Sequence, residues 1–422
     1  MSGAGLRLLT LVVLLLSARG FAQGAPWSRG ESQGEDLVIS LVTFGPGDDV
    51  PSYFGHVALV VEDRRLRQER LYNYGMFSFE EPGMLLKFIR GRLEFWVGED
   101  SVARTLEFYR SLNRDITVQV LNLLPEAKVK LAKALGDNVL PQNRDYLYNH
   151  YFDNCSTRPR DLIDRAVDGQ LVRATSVPGR MTLRQHTARW GWVDPFINLA
   201  MDYGLNDQVD PPIPQSVEAF IPAELMNQLD KLTYVNALGK TVPYVENTLP
   251  LYVSTRPKTP DRPPRYFWPL LVAGLLAGAL PVLFVGAGHL RPRFARIGLG
   301  ISSALAGLVM GILGTLVAFL WLGTNHLVAH HNENLFLTSP LALAAVVLGV
   351  SLARGHRKAA AARVARLWGA LLGLALLGLL LKVLPAFDQQ NVPFAALWLP
   401  VLLGLTVASR LFLRWQREAQ PA

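Results

Sequence analysis

The chain has a single cysteine in 422 residues, Cys155. A lone thiol cannot close an intramolecular disulfide, so the usual reason for a cysteine in an exported protein is missing and Cys155 becomes a candidate nucleophile. Charge is also scarce, at 18% of residues against 50% apolar. The net charge of +8 falls largely in short loops between apolar runs, which excludes nucleic acid as a partner. No internal repeat is present, and the only low-complexity tract is the alanine run at 359–362. No cysteine directly follows the first apolar stretch, so the chain is not built like a lipoprotein precursor.

What is present divides near Arg265. Arg7, the apolar stretch Leu8–Leu16, and the small residues Gly20 and Ala22 read as a signal peptide over 1–24, because the apolar core is too short to span a bilayer. Five later segments are long and apolar enough to cross: Phe267–Gly288, Ile297–Gly323, Leu335–Ala353, Leu367–Leu384 and Phe394–Phe412. Arg291, Arg293 and Arg296 follow the first. Arg354, Arg357, Lys358, Arg363 and Arg366 follow the third, and Arg410, Arg414 and Arg417 the fifth; the loops 324–334 and 385–393 have no Lys or Arg. The positive-inside rule then places Ala25–Arg265 and these two loops outside the cytoplasm. A bacterial inner-membrane protein is expected, with a transmembrane domain over 266–413 and a cytoplasmic tail over 414–422.

Within the exported part, Asp36–Phe44, His56–Asp63, Glu69–Tyr74 and Ile116–Leu124 have the alternation and β-branching of strands. Glu81–Gly91, Ala103–Asn113, Glu126–Leu135 and Thr182–Tyr203 have helical spacing. The spacing predicts an α+β domain over 25–205 with a small antiparallel sheet. Proline clusters at Asp210–Pro214 and Pro257–Pro269 mark 206–265 as an extension and linker.

A thiol attacks only as the thiolate, which a helix N-terminus or a nearby imidazolium stabilises. A helix is predicted to begin at Asn154 or Cys155, because Asp153 and Asn154 are good caps and Pro159 fits only a first turn. The exported histidines are His56, His150 and His186. His56 opens an apolar strand after Gly55, which permits close backbone approach, and a rigid element suits a base. A hairpin turning near Arg64–Leu66 brings Asn73 or Tyr74 opposite His56, either able to orient the imidazole. Each residue also has a plain structural reading: Cys155 as a small buried apolar group, His56 as a hydrogen-bonded strand residue, His150 as a surface or supporting residue, Trp190 and Trp192 as core.

Taken together, these residues resemble a family. Phe54-Gly55-His56, then Tyr72-Asn73-Tyr74-Gly75-Met76-Phe77, Arg90-Gly91-Arg92-Leu93, Leu121-Asn122-Leu123 and Asn143-Arg144-Asp145-Tyr146, lead to Tyr151-Phe152-Asp153-Asn154-Cys155-Ser156-Thr157-Arg158. Over roughly 36–205 this succession is similar to the Lnb N-terminal periplasmic domain, and more widely to circularly permuted papain-like thiol enzymes, in which the histidine precedes the cysteine. The resemblance implies a papain-like (permuted) α+β domain before an all-α bundle of five transmembrane helices. It also implies lipoprotein N-acyl transfer through a thioester on Cys155, with His56 as base and lipoproteins and membrane lipids as partners. Asn154, Arg158 and Arg160 are expected to meet substrate, the arginines by pairing with a lipid or lipoprotein anion. The loop Asn325–Leu335 is similar to a His/Asn-rich loop of the family, which implies that His326, His330, Asn332 and Asn334 hold a polar head group. No metal is expected there, since soft or carboxylate ligands of clear geometry are lacking, and no cofactor is expected. The same thiol and histidine also suit a hydrolase of lipid esters or cell-wall peptides, and a non-catalytic membrane scaffold is the reading from a different class.

Overall fold

The computed structural model describes residues 24–78, 83–92, 94–289, 291–355 and 359–418. Residues 1–23 of the expected signal peptide lie outside them. The chain forms two compact units. One holds the residues up to Val193 together with Pro212–Asp261, the other Asp194–Pro211 together with the residues from Arg262 on.

The first unit is built on a seven-stranded antiparallel sheet. Its strands, numbered along the chain, are β1 (Leu37–Phe44), β2 (His56–Asp63), β3 (Gln68–Met76), β4 (Glu94–Asp100), β5 (Ile116–Leu121), β6 (Asp145–Leu147) and β7 (Val245–Tyr252). The order across the sheet is β7-β5-β1-β2-β3-β4-β6. Alternation along β1 and β2 sorts their side chains between two cores. Leu37, Ile39, Leu41, Val57, Leu59 and Val61 face one side, with Leu131 and Leu135 of helix α2 (Pro125–Asn138) and Leu162 and Ile163 of helix α3 (Thr157–Ala166). Val42, Phe44, Ala58 and Val60 face the other, with Tyr109 of helix α1 (Val102–Ser111). The sheet therefore has both faces covered, and its central strands are apolar on each.

Three sequence expectations require correction. The sheet is larger than expected, because β4, β6 and β7 went unpredicted. The helix expected over Thr182–Tyr203 is two, α4 (Leu183–Trp190) and α5 (Pro195–Gly204); Asp194 accepts the N–H groups of Phe196 and Ile197 and Pro195 takes the first turn, so a new helix starts where the old one was expected to run on. Within the expected extension and linker over 206–265, the residues up to Tyr252 form elements, and the stretch 253–265 has no helix or strand. Pro212–Pro214 pairs with Pro178–Thr182, helix α6 (Pro222–Lys231) buries Leu225 and Leu229 in the main core, and β7 pairs with β5. β7 lies at the sheet edge with most of its side chains exposed, which is where Pro250 is tolerated and where an apolar alternation is not needed.

The second unit contains four helices long and apolar enough to cross a membrane: α7 (Phe267–Gly286), α8 (Pro292–Gly323), α10 (Ala360–Leu381) and α11 (Val392–Glu418). The expected third span, Leu335–Ala353, is instead a bent pair, Leu327–Leu337 and Pro340–Arg354, meeting at 49°. The pair includes helix α9 (Ala344–Arg354). Thr338 is extended and Pro340 offers no N–H, so the helical ladder stops between them. Counted as one span, the pair makes five. Small residues let these helices touch backbone to backbone. A Cβ on Gly404 would lie 1.9 Å from the Gly278 carbonyl oxygen, and one on Gly349 would lie 2.4 Å from that of Gly300.

Candidate functional site

His56 is the first residue of β2 and faces Phe44 of β1. Gly55 before it has φ +83°, and a Cβ there would sit 2.9 Å from the Phe44 carbonyl oxygen, so the close approach expected of this glycine is present. The β2–β3 ladder starts at Ala58 opposite Asn73, which puts Asn73 diagonally across from His56 on the same sheet face. The Nε2 of His56 lies 2.5 Å from the Asn73 side-chain oxygen. An amide oxygen only accepts, so Nε2 carries the proton and Nδ1 is left as the basic nitrogen. The ring lies nearly parallel to those of Phe44 and Tyr109, with centroids 6.2 and 6.1 Å away. Burial in this aromatic setting pushes His56 down to about 4, outweighing the Asn73 hydrogen bond, which acts the other way; the Arg114 charge adds to the lowering.

Cys155 approaches from the other core, against the end of β2 and the bulge in β3. Its thiol accepts the N–H of Val57, the residue after His56. The register of β3 against β4 shifts between Tyr74 and Met76, and Gly75 in the shift has φ +86°. A Cβ on Gly75 would come within 3.4 Å of Cys155 Cβ. The helix expected from Asn154 or Cys155 begins at Thr157 instead. Burial pushes the thiol up to about 11, opposed by the N–H of Val57, the charge of Arg114 and the N–H of Cys155 itself. Burial thus favours the neutral thiol and the neutral imidazole, against the thiolate expected from a helix N-terminus, because loss of solvent penalises both charged forms more than the local dipoles favour them.

The loop before the helix is fastened at several points. Asn149 exchanges backbone hydrogen bonds with Asp153, and its side-chain oxygen accepts the N–H groups of Tyr151 and Phe152. The Ser156 hydroxyl donates to Ala219 O and the Tyr151 hydroxyl meets that of Thr187 at 2.9 Å. His150 packs its ring against Phe54, Tyr151 and Phe220. His186 meets Glu218 at 2.9 Å, next in the chain to Thr187 and Ala219, which hold the thiol loop.

Several expected site residues have other work. The Tyr74 side chain belongs to the opposite core and its hydroxyl accepts from Asn138, so it does not orient His56. Asn154 donates to His150 O and Phe220 O and accepts the N–H groups of Ser156 and Thr157, which exhausts its amide. It shapes the thiol loop and has no capacity for substrate. Arg158 forms a two-pronged pair with Asp153 at 2.6 and 2.9 Å and lies over the Tyr146 ring. Arg160 binds Asp161 and Ser216 O. Both guanidinium groups are paired within the domain.

In the second unit, Asn332 donates to Tyr203 O and Leu205 O, and Asn334 donates to Tyr203 O. These asparagines satisfy carbonyls left open at the end of α5. His330 Nε2 lies 2.9 Å from Thr324 O, while His326 precedes the short turn Leu327–Ala329. Among the described residues no group of three His, Cys, Asp or Glu is placed to hold a metal.

Arg114 is the site residue that the sequence did not single out. It follows α1 and is only 5% exposed; its Nε donates to Gly45 O and its guanidinium lies 4.7 Å from the Tyr109 ring centre. A lone arginine before a strand has no motif to mark it, and only folding brings it toward Cys155.

No curated protein and no solved structure matches the chain. Two family models do. The Lnb N-terminal periplasmic domain matches residues 24–189, which hold both His56 and Cys155, and the Lnb transmembrane domain matches residues 264–418. With a mixed sheet-and-helix domain of periplasmic type followed by four or five apolar helices, this chain is a multi-pass membrane protein that belongs to the Lnb family.

Proposed function

We propose that this protein is an inner-membrane lipoprotein N-acyltransferase whose periplasmic domain works as a permuted papain-like thiol enzyme, with Cys155 as nucleophile, His56 as base and Asn73 as the residue that positions the imidazole. The observation that carries this reading is the meeting of the thiol with the Val57 N–H, one residue from a histidine whose tautomer Asn73 sets.

In the first half-reaction the Cys155 sulfur attacks an ester carbonyl of a diacylglyceryl lipoprotein and its proton passes to His56 Nδ1. The tetrahedral adduct collapses, the C–O bond breaks, and His56 returns the proton to the departing alkoxide. In the second half-reaction the lipoprotein's terminal amine attacks the thioester. The C–S bond breaks, the amine loses a proton to His56, and the sulfur recovers it. The neutral resting pair fits this scheme, since the base moves the proton during attack and no stored thiolate is required. Joining the thiol domain to a membrane unit also suits a substrate whose acyl chains stay in the bilayer.

The test is incubation of the full-length protein in detergent with a diacylglyceryl lipopeptide, followed by mass spectrometry. Transfer of an acyl chain from glycerol to the amine without change of total mass is expected. Cys155→Ala should abolish it and His56→Ala should slow it about 10²–10⁴-fold. Release of free fatty acid or peptide cleavage would assign a hydrolase, and activity surviving in Cys155→Ala would remove the thiol from the mechanism.

A further inference from the structure

The guanidinium of Arg114 is buried without an ion pair that accounts for it. Its Nε is used by Gly45 O, but Nη2 is shielded from solvent and has no hydrogen-bond partner among the described residues. The charged groups acting on it are Tyr109, Asp49, Cys155 and Arg256. Asp49 already accepts a hydrogen bond from the Ser52 hydroxyl, and Arg256 is paired with Asp48. Burying a guanidinium with one end unsatisfied costs several kcal/mol unless something compensates it. The position of the group indicates what does. Arg114 lies against the ring of Tyr109, which lies parallel to that of His56, and its charge acts on both Cys155 and His56.

We infer that Arg114 is a catalytic residue that supplies an anion site at Cys155, its Nη2 donating to the carbonyl oxygen of the bound ester as that oxygen becomes an oxyanion. This deepens the acyltransferase reading and rests on it. At rest Arg114 feels Asp49 but forms no ion pair with it, and its Nη2 is left without a hydrogen-bond partner among the described residues. Attack transfers a proton from sulfur to His56 and leaves one negative charge on the former carbonyl oxygen, for which Arg114 is the charge partner. Preorganised donors aimed at a developing oxyanion typically contribute about 10²–10³ in kcat each. In the same setting the positive charge disfavours a long-lived imidazolium, which speeds return of the proton to the leaving group.

Arg114→Gln and Arg114→Lys in the full-length protein test this with two readouts. Because Cys155 is the only cysteine, alkylation by iodoacetamide as a function of pH reports its ionisation without any acyl transfer. Arg114→Gln should move that profile to higher pH and lower kcat on a diacylglyceryl lipopeptide about a hundredfold with little change in KM, and Arg114→Lys should restore the alkylation profile and only part of kcat. Should Arg114→Gln fail to melt cooperatively, Arg114→Lys decides alone, since it keeps the charge and loses Nη2; an unchanged kcat overturns the inference. It is also overturned if Arg114→Gln leaves both readouts unmoved, or if the loss appears only as a raised KM with a phosphate-bearing phospholipid donor, which would make Arg114 a head-group site. Activity in Cys155→Ala would refute the acyl-enzyme while leaving the alkylation profile to report Arg114 independently.

Discussion

The electrostatic setting of the proposed nucleophile and base is the least expected property of the candidate site. A cysteine and histidine in sequence suggest an ion pair, yet burial holds the imidazole at about 4 and the thiol at about 11. The sign follows directly: His56 is depressed, so its basic form persists well below the ordinary histidine value near 6.5 and is lost only as pH approaches 4. We therefore expect the rate of the acylation half-reaction, which does not need the free amine, to stay flat from about pH 9 down to about pH 5. A fall centred near 6.5 in initial-rate measurements would show that the imidazole is solvated in the working protein. Cys155 and His56 stand out in the sequence because their residue types are rare here and their settings distinctive. Asn73 and Tyr74 were not separable, since both fall near the register position opposite His56 and only the sheet face distinguishes them. Asn154, Arg158 and Arg160 look in sequence like groups awaiting a ligand, and Arg114 looks like nothing in particular. Whether a polar side chain is already satisfied is decided by partners distant in the chain, such as Phe220 for Asn154 and Gly45 for Arg114.

At the scale of elements, the site depends on two irregular points where regular strands would fail. Gly55 lets the chain enter β2 against Phe44, and Gly75 bends β3 away from the space Cys155 occupies. Both have positive φ, where a side chain costs about 1–3 kcal/mol. Gly75→Ala should lose about that much stability in a denaturant melt, because of its φ of +86°, while its new methyl would reach van der Waals contact with Cys155 Cβ. A variant with wild-type stability and activity would show that β3 has freedom to relax there. The boundaries of β1, β2 and α1 followed from periodicity, since each is half or wholly buried and bounded by turns. β7 and the break between α4 and α5 did not follow from it. An exposed edge strand carries no apolar alternation, and Asp194-Pro195 sits inside a stretch whose spacing suits one long helix.

For the whole molecule, the division into a periplasmic domain and a membrane domain was legible from composition alone, because 50% apolar residues are distributed so unevenly. What composition hid is that the division is not a single cut. The chain passes from the first unit to the second after Val193, returns at Pro212, and leaves again after Asp261. On its excursion α5 places Leu199 and Tyr203 in the core of the membrane unit and gives up its last carbonyls to Asn332 and Asn334. A periplasmic fragment spanning 24–261 should therefore aggregate in size-exclusion chromatography, and replacing 194–211 by a polar linker of equal length should restore a monodisperse peak. A well-behaved unmodified fragment would mean that α5 tolerates losing its partners. The excursion is a stitch: a chimera that joins either unit to an unrelated one at a single point would leave 194–211 or 212–261 on the wrong side of the cut.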